Sequence, residues 1–388
     1  MTNNSLSLYF HIPFCLKKCD YCAFFSIPNA NESQKAAYFE ALCRQVSFLP
    51  TDREIATVYF GGGTPPLLTV PRLIDLLNRV RLRAPLAQDC EITIEINPKT
   101  IDFAGLSALH QAGFNRLSIG IQSADDKVLS ALGRIHTFAE AEKCVTDARL
   151  AGFTNISVDF IFALPEQTYE DLKADADLAF EIGANHIAIY PFIDFTFTKS
   201  KVKALAKKEK RALLDAITNY FESKGYERNS IWTFSNVKEA NYSSMTRDNF
   251  LGFGCSATTL LKEQFKINTF SVEEYCKRIE AGKLATSLTI RFSLRQRMVY
   301  YLFWTAYSTR VDSRDFEKFF GVPLKKMYGF ELWLAKLLGF VKEENGIYEM
   351  TLKGAFYYHY YENFYTLAYI DKMWGIMRTE AFPERIEL

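Results

Sequence analysis

Six short apolar segments recur through the first half of the chain, each followed by a stretch with helical spacing, and this alternation limits the fold more than any other feature. The strand-like segments are Leu6–Ile12, Ala56–Phe60, Glu91–Ile96, Arg116–Ile121, Ile156–Phe162 and His186–Tyr190, rich in β-branched and aromatic residues. The helix-like stretches between them are Gln34–Phe48, Pro71–Leu82, Phe103–Ala112, Phe138–Ala151 and Tyr169–Ile182. Pro71 suits a first helical turn, where its missing N–H leaves nothing unpaired. Repeated βα units imply parallel strands joined by right-handed crossovers. Six units fall short of the eight of a closed barrel, so the expected class is α/β, a partial (β/α)6 TIM-like barrel that stays open. Its functional side chains belong at the C-terminal ends of the strands.

The second half reads differently. A charged helical pattern covers Lys201–Lys224, its lysines forming a solvated face, and an irregular glycine-containing segment follows. From Arg291 on, long helical patterns dominate, then a hairpin signal: Phe340–Glu344, Asn345-Gly346, Ile347–Thr351. Helices and a hairpin outline a smaller C-terminal, winged-helix-like domain, so the expected division is 1–270 and 271–388. The helix around Phe330–Leu338 is too apolar to read a DNA groove, and a lid or docking role is the expectation. The aromatic run Ala355–Trp374 is expected to pack in a core or between domains. A formal net charge of +1 gives no case for a nucleic-acid binder. The start MTNNSLSLYF lacks a signal-peptide pattern, and no apolar run reaches the ~18 residues of a membrane span. Eight cysteines in 388 residues are not a disulfide framework, and the expected location is the reducing cytoplasm.

Three of those cysteines, Cys15, Cys19 and Cys22, follow the first strand with the spacing C-x3-C-x2-C, at the edge where a barrel carries its chemistry. Three thiolates on a cubane iron–sulfur cluster leave one iron open to a small molecule, whereas closed structural zinc and electron-transfer clusters take four protein ligands. The spacing also allows a zinc site completed by His11 or a distant residue, or a redox pair with a bystander. Cys43, Cys144 and Cys276 lie in helical patterns and read as buried thiols; Cys90 and Cys255 have no place in either scheme. Gly61-Gly62-Gly63-Thr64 closes the second strand, and its backbone N–H and C=O groups are expected to be open to the two ends of an amino acid. No Gly-Lys-Ser/Thr follows, so it is not a phosphate loop. Glu95 ends the third strand and either accepts from sugar hydroxyls or pairs with a lysine. Gln122 ends the fourth strand and Arg134 lies beyond it. Asp159 sits inside an apolar strand, where a charge needs a partner, either Arg134 or a ligand.

The cysteine loop, GGGTP, GFNRLSIGIQS, LGRIHT and VDFIFALPEQT, in that order, resemble the radical S-adenosylmethionine (SAM) superfamily. Within it the chain is similar to the oxygen-independent coproporphyrinogen III oxidase group, which holds the oxidases (HemN), the haem chaperones (HemW) and HemN-like methylases. The resemblance implies that Cys15, Cys19 and Cys22 hold a [4Fe-4S] cluster whose open iron is chelated by SAM. It places Tyr9, Tyr21, Gly62 and Glu95 at that SAM, and Gly63, Thr64, Gln122, Arg134 and Asp159 where the oxidases bind a second one. It implies reductive SAM cleavage to a 5′-deoxyadenosyl radical. That radical abstracts hydrogen from a tetrapyrrole or other conjugated substrate, in a decarboxylation or methyl transfer. The electron comes from a reductant such as flavodoxin or ferredoxin. The alternative it implies is a haem chaperone that keeps the cluster and is no oxidase. Two departures matter. Phe24 stands where the oxidases have a further cysteine. The haem-chaperone HNxxYW-like stretch is altered here: Asn241 is kept, Ala240 replaces the histidine, and His359 is the remaining outlying histidine.

Overall fold

The computed structural model describes residues 5–200, 203–236 and 249–386. Six parallel strands stand in chain order: β1 (Leu6–Ile12), β2 (Ile55–Gly62), β3 (Leu86–Ile96), β4 (Arg116–Gln122), β5 (Asn155–Phe162) and β6 (His186–Pro191). The helices between them are α1 (Glu32–Val46), α2 (Val70–Arg83), α3 (Phe103–Gln111), α4 (Phe138–Leu150) and α5 (Tyr169–Glu181). The starts of α1, α4 and α5 are set by reciprocal caps, Asn31 with Gln34, Thr137 with Glu140 and Thr168 with Asp171. Each cap satisfies two backbone donors that would otherwise lack partners.

Alternation along the strands separates two environments. Phe10, Phe60, Ile94, Leu117 and Ile119 are fully buried in one core with Leu42, Leu73, Leu76 and Leu109 of the helices. Phe10 stacks between Phe60 and Phe253 at 4.7 Å on each side. The residues between, pointing into the barrel, are Tyr9, His11, Tyr59, Glu95, Ser118 and Asp159, and the register sets Tyr9 beside Tyr59, Glu95 beside Ser118 and Gly120 beside Asp159. The strands are apolar outward and polar inward, which is why they look continuous to a hydropathy reading yet carry charges.

Among the described residues the barrel does not close and the sheet has twelve strands: Phe250–Phe253 runs parallel to β1, followed outward by antiparallel Thr258–Leu261, Gln264–Asn268 and Thr286–Arg291, while Thr233–Ser235 and Glu227–Arg228 extend it beyond β6. The expected boundary at 270/271 falls inside this sheet, which ends at Arg291. The charged helix spans Lys207–Ser223.

Helices Leu294–Tyr307, Ser313–Phe320 and Leu324–Leu337 then pack with a three-stranded sheet of Arg310–Asp312, Ile347–Met350 and Val341–Glu344, the winged-helix outline expected. Asn345 and Gly346 both take positive φ, as a tight two-residue hairpin turn requires. Met298, Tyr301, Phe316, Leu324, Tyr328 and Tyr348 form a separate small core. The aromatic C-terminal run packs only in part: Phe356 and His359 are buried, but Tyr357, Tyr360, Tyr361 and Phe364 are exposed. The final helix, Asp371–Thr379, returns to the barrel mouth. Asp371 accepts from the Thr196 backbone and hydroxyl, and Arg378 donates to the Ala23 carbonyl of the cysteine loop. Among the described residues no helix is long and apolar enough to cross a membrane. Asn241 and Ala240 lie outside the described residues.

Candidate functional site

The cysteine loop leaves β1 at its C-terminal end. Phe14–Cys15 pairs with Ile27–Pro28, and Cys22 N donates to Cys19 O, so the loop is tied at both its base and its tip. Cys15, Cys19 and Cys22 are free, half-buried thiols. Burial pushes Cys22 up to about 11 and Cys15 in the same direction; Cys22 also feels the negative charge of Cys19 and Cys15, and Cys15 that of Cys19. Among the described residues no three His, Cys, Asp or Glu side chains are gathered as a single metal ion needs. A cubane takes each thiolate at a separate iron, and three free thiols on one loop are the donor set it takes. His11 does not complete a zinc site. Its Nε2 lies 2.9 Å from the Phe25 carbonyl and must donate to it, which leaves Nδ1 to accept from the Tyr9 hydroxyl at 3.0 Å. Burial holds this imidazole neutral by lowering its pKa to about 4.

One strand over, the glycine turn is built around close approaches. Gly62 has φ +111°, and a Cβ there would sit 2.6 Å from the His11 ring; a Cβ on Gly63 would sit 2.7 Å from the Phe14 carbonyl. The expectation that this turn offers open N–H groups is not met. Gly62 N donates to Glu95 at 2.9 Å, and Gly63 N and Thr64 N donate at 2.8 Å to the carbonyls of Ile12 and Phe14. These donors fix the turn to the cysteine loop, so none of the three remains for a ligand carboxylate. Glu95 accepts from Gly62 N and from the Tyr59 hydroxyl at 2.8 Å, with no lysine as partner among the described residues, and the charge of Arg116 on the neighbouring strand acts on it. Burial raises its pKa, while those two hydrogen bonds oppose the rise. Tyr9, Tyr59, Gly62 and Glu95 form one group on the inner wall.

A second group surrounds Arg134. Its Nη2 donates to Asn97 Oδ1 at 2.7 Å and to the Gly120 carbonyl at 2.6 Å, and its Nη1 to Cys19 Sγ at 3.7 Å. Tyr21 also bonds to this guanidinium and packs against Leu132, Ile161, Leu164 and Phe192. Thr64 is buried; its hydroxyl accepts from Asn97 Nδ2 at 2.7 Å and donates to Cys15 Sγ at 3.7 Å. A small cavity beside Cys19 is lined by Thr64, Asn97, Thr100 and Arg134. Gln122 closes β4 with φ +82° where the register to β5 shifts. Asp159 is not paired with Arg134: it accepts from Ser118 at 3.0 Å, and burial pushes it up to about 7. Asn97 was not picked out from the sequence, although a polar residue two places after Glu95 and just before Pro98, at a strand end, was the available signal.

The remaining thiols are inert. Burial pushes Cys90 and Cys144 up to about 12 and Cys43 and Cys276 up to about 11. Cys255 is enclosed with the Tyr38 hydroxyl 3.4 Å from its sulfur. His359 is buried edge-on against Trp232, with ring centroids 4.4 Å apart, so it offers no exposed ligand.

The sequence pattern of the radical SAM superfamily matches residues 9–179. The haem chaperone HemW of Buchnera aphidicola subsp. Acyrthosiphon pisum is 30% identical over 265 residues, 65% of this chain and 69% of that protein. HemW of Escherichia coli is 39% identical over 188 residues, 48% of this chain and half the length of that protein. The oxygen-independent coproporphyrinogen III oxidase of Cereibacter sphaeroides is 28% identical over 304 residues, 72% of this chain and 67% of that protein. Among solved structures, coproporphyrinogen III oxidase (HemN) from Escherichia coli, a radical SAM enzyme, shares the fold: TM-score 0.80 at 22% identity, over 92% of this chain and 89% of that one.

Proposed function

Because this chain belongs to the radical SAM superfamily, in the group that holds the oxygen-independent coproporphyrinogen III oxidases and the haem chaperones HemW, we propose that it is a radical SAM enzyme acting on a tetrapyrrole or another conjugated substrate. In this reading Cys15, Cys19 and Cys22 would hold a [4Fe-4S] cluster, which with SAM would supply the radical chemistry for hydrogen abstraction. The chain's own residues bind and orient. Gly62 meets the amino-acid end of SAM, and Glu95, held by Tyr59 and Gly62, presents its carboxylate to the ribose. Tyr9 and Tyr21 flank the cofactor, and Gly63, Thr64, Gln122, Arg134 and Asp159 face the place of a second SAM. A flavodoxin- or ferredoxin-like donor supplies the electron, in the cytoplasm. The C-terminal unit, 271–388 in the sequence reading, covers the barrel mouth.

The observation that supports this best is the inner-wall group. A buried carboxylate, raised by desolvation yet held by two donors, stands two strands from three free thiols at the C-terminal edge of an open barrel. The burial of His359 weighs against haem carriage through that residue. The test is anaerobic reconstitution. We expect about four irons per chain, 5′-deoxyadenosine from SAM under dithionite, and faster cleavage with coproporphyrinogen or a related tetrapyrrole. Zinc without iron, or a cluster retained in Cys19→Ala, overturns the cluster assignment. Stoichiometric haem binding with no SAM cleavage for any of these substrates overturns the enzyme reading in favour of a haem chaperone.

A further inference from the structure

Three side chains from three different segments form a chain of hydrogen bonds between two of the loop thiols. It runs from Cys15 Sγ to the Thr64 hydroxyl (3.7 Å), to the Asn97 amide (2.7 Å), to Arg134 (2.7 Å) and back to Cys19 Sγ (3.7 Å). Asn97 is its centre, bonded to Thr64 on one side and to Arg134 on the other. Its Oδ1 accepts from Arg134 Nη2, which fixes the amide orientation. Its Nδ2 then donates to Thr64 Oγ1, and a hydroxyl that already accepts has its proton free to point at Cys15. Gly120 borders this chain: a Cβ there would sit 2.7 Å from Gln122 Nε2 and 3.3 Å from Asn97 Oδ1. The Gly120 carbonyl takes a second bond from Nη2, so the guanidinium is held from two sides.

We propose that Asn97 is a positioning residue that sets the reduction potential of the cluster, by aiming one donor from Arg134 and one from Thr64 at two of its three cysteine sulfurs. The proposal rests on the reading of Cys15 and Cys19 as cluster ligands. Donors aimed at ligand sulfurs, and a positive charge beside them, withdraw electron density and favour the reduced state, so they raise the potential. Groups around a metal centre that orient its ligands tune it in this way without touching the metal. Arg134 engaged in this manner serves the cluster directly, in addition to facing a second SAM.

The test is a potentiometric titration of the reconstituted protein without SAM, followed by electron paramagnetic resonance, for the unaltered chain, Asn97→Ala, Thr64→Val and the double variant. Asn97→Ala is expected to keep its iron and to lower the equilibrium constant for one-electron reduction by about tenfold, the scale of losing charge-assisted hydrogen bonds. Thr64→Val should lower it less, and the double variant should fall short of the sum, since Thr64 acts through the orientation Asn97 gives it. An unchanged potential in fully loaded Asn97→Ala overturns the proposal, as do additive shifts. Where Asn97→Ala loads poorly, Thr64→Val, which leaves the Asn97–Arg134 bond in place, decides alone, and a potential equal to the unaltered chain overturns it. An unaltered chain that takes up no iron–sulfur cluster would instead refute the cluster assignment beneath it.

Discussion

Replacing Gly62 by alanine tests the packing on which the inner-wall group depends. The residue sits at φ +111°, a conformation that costs a side-chain-bearing residue about 1–3 kcal/mol. Its Cβ would also lie 2.6 Å from Cε1 and Nδ1 of His11 and 3.0 Å from Nε2. The ring cannot swing away freely, because Nδ1 is bonded to Tyr9 at 3.0 Å and Nε2 to Phe25 at 2.9 Å. Moving it sacrifices those bonds, each of which contributes about 1 kcal/mol. The two effects together predict a loss of about 3–5 kcal/mol for Gly62→Ala. The measurement is urea unfolding followed by tyrosine and tryptophan fluorescence, on the unaltered chain, Gly62→Ala, His11→Ala and the double variant. In the His11→Ala background the clash is gone, and only the backbone strain of about 1–3 kcal/mol should remain. A loss below about 1 kcal/mol for Gly62→Ala, or the same loss in both backgrounds, would refute the claim that this glycine is required by the His11 ring.

Glu95→Gln keeps the shape and an acceptor for Gly62 N while removing a buried charge, so melting temperature should hold or rise. SAM affinity of the cluster-loaded protein, measured by equilibrium dialysis, should fall about 10–100-fold with the loss of an ionised acceptor. A collapsed melting temperature with unchanged affinity would make Glu95 structural only. Asp175→Asn addresses pH. Burial pushes Asp175 from 3.8 to about 7, while Ala124 N and Ser123 pull the other way, donating to it at 2.6 and 3.3 Å. The folded pKa is the higher one, so the folded chain keeps a proton that the unfolded chain has released between those two values, and stability from this group is lost as pH rises through that window. Asn keeps the acceptor without the titration. We expect a flatter stability profile between about pH 4 and 7 and a gain of up to about 4 kcal/mol at about pH 8, read by urea unfolding across pH. A profile as steep as that of the unaltered chain would sink this account.

The strands were legible one at a time because each alternates on a period that its own residues reveal, and so were the cysteines, the glycine turn and Glu95, which end strands. What stayed hidden is what depends on two strands at once. Asp159 looks like an anomaly within β5 until the register sets it beside Gly120 and its carboxylate reaches Ser118 of β4, when it becomes part of a polar inner wall. The glycine turn looks open until Ile12 and Phe14 of the neighbouring loop are seen to take its donors. The sheet runs past the expected boundary at 270/271 for a related reason: Thr286–Arg291 joins it only through its antiparallel pairing with Gln264–Asn268, across the helix Val272–Glu280. Arg378 carries the point furthest. Nothing near it in the chain marks it as functional, yet its guanidinium lies over Phe25, Phe197 and Phe270 and donates to Ala23, one residue past Cys22. The cysteine loop is therefore braced from the opposite end of the chain, and the geometry of the thiols depends on the last helix being docked.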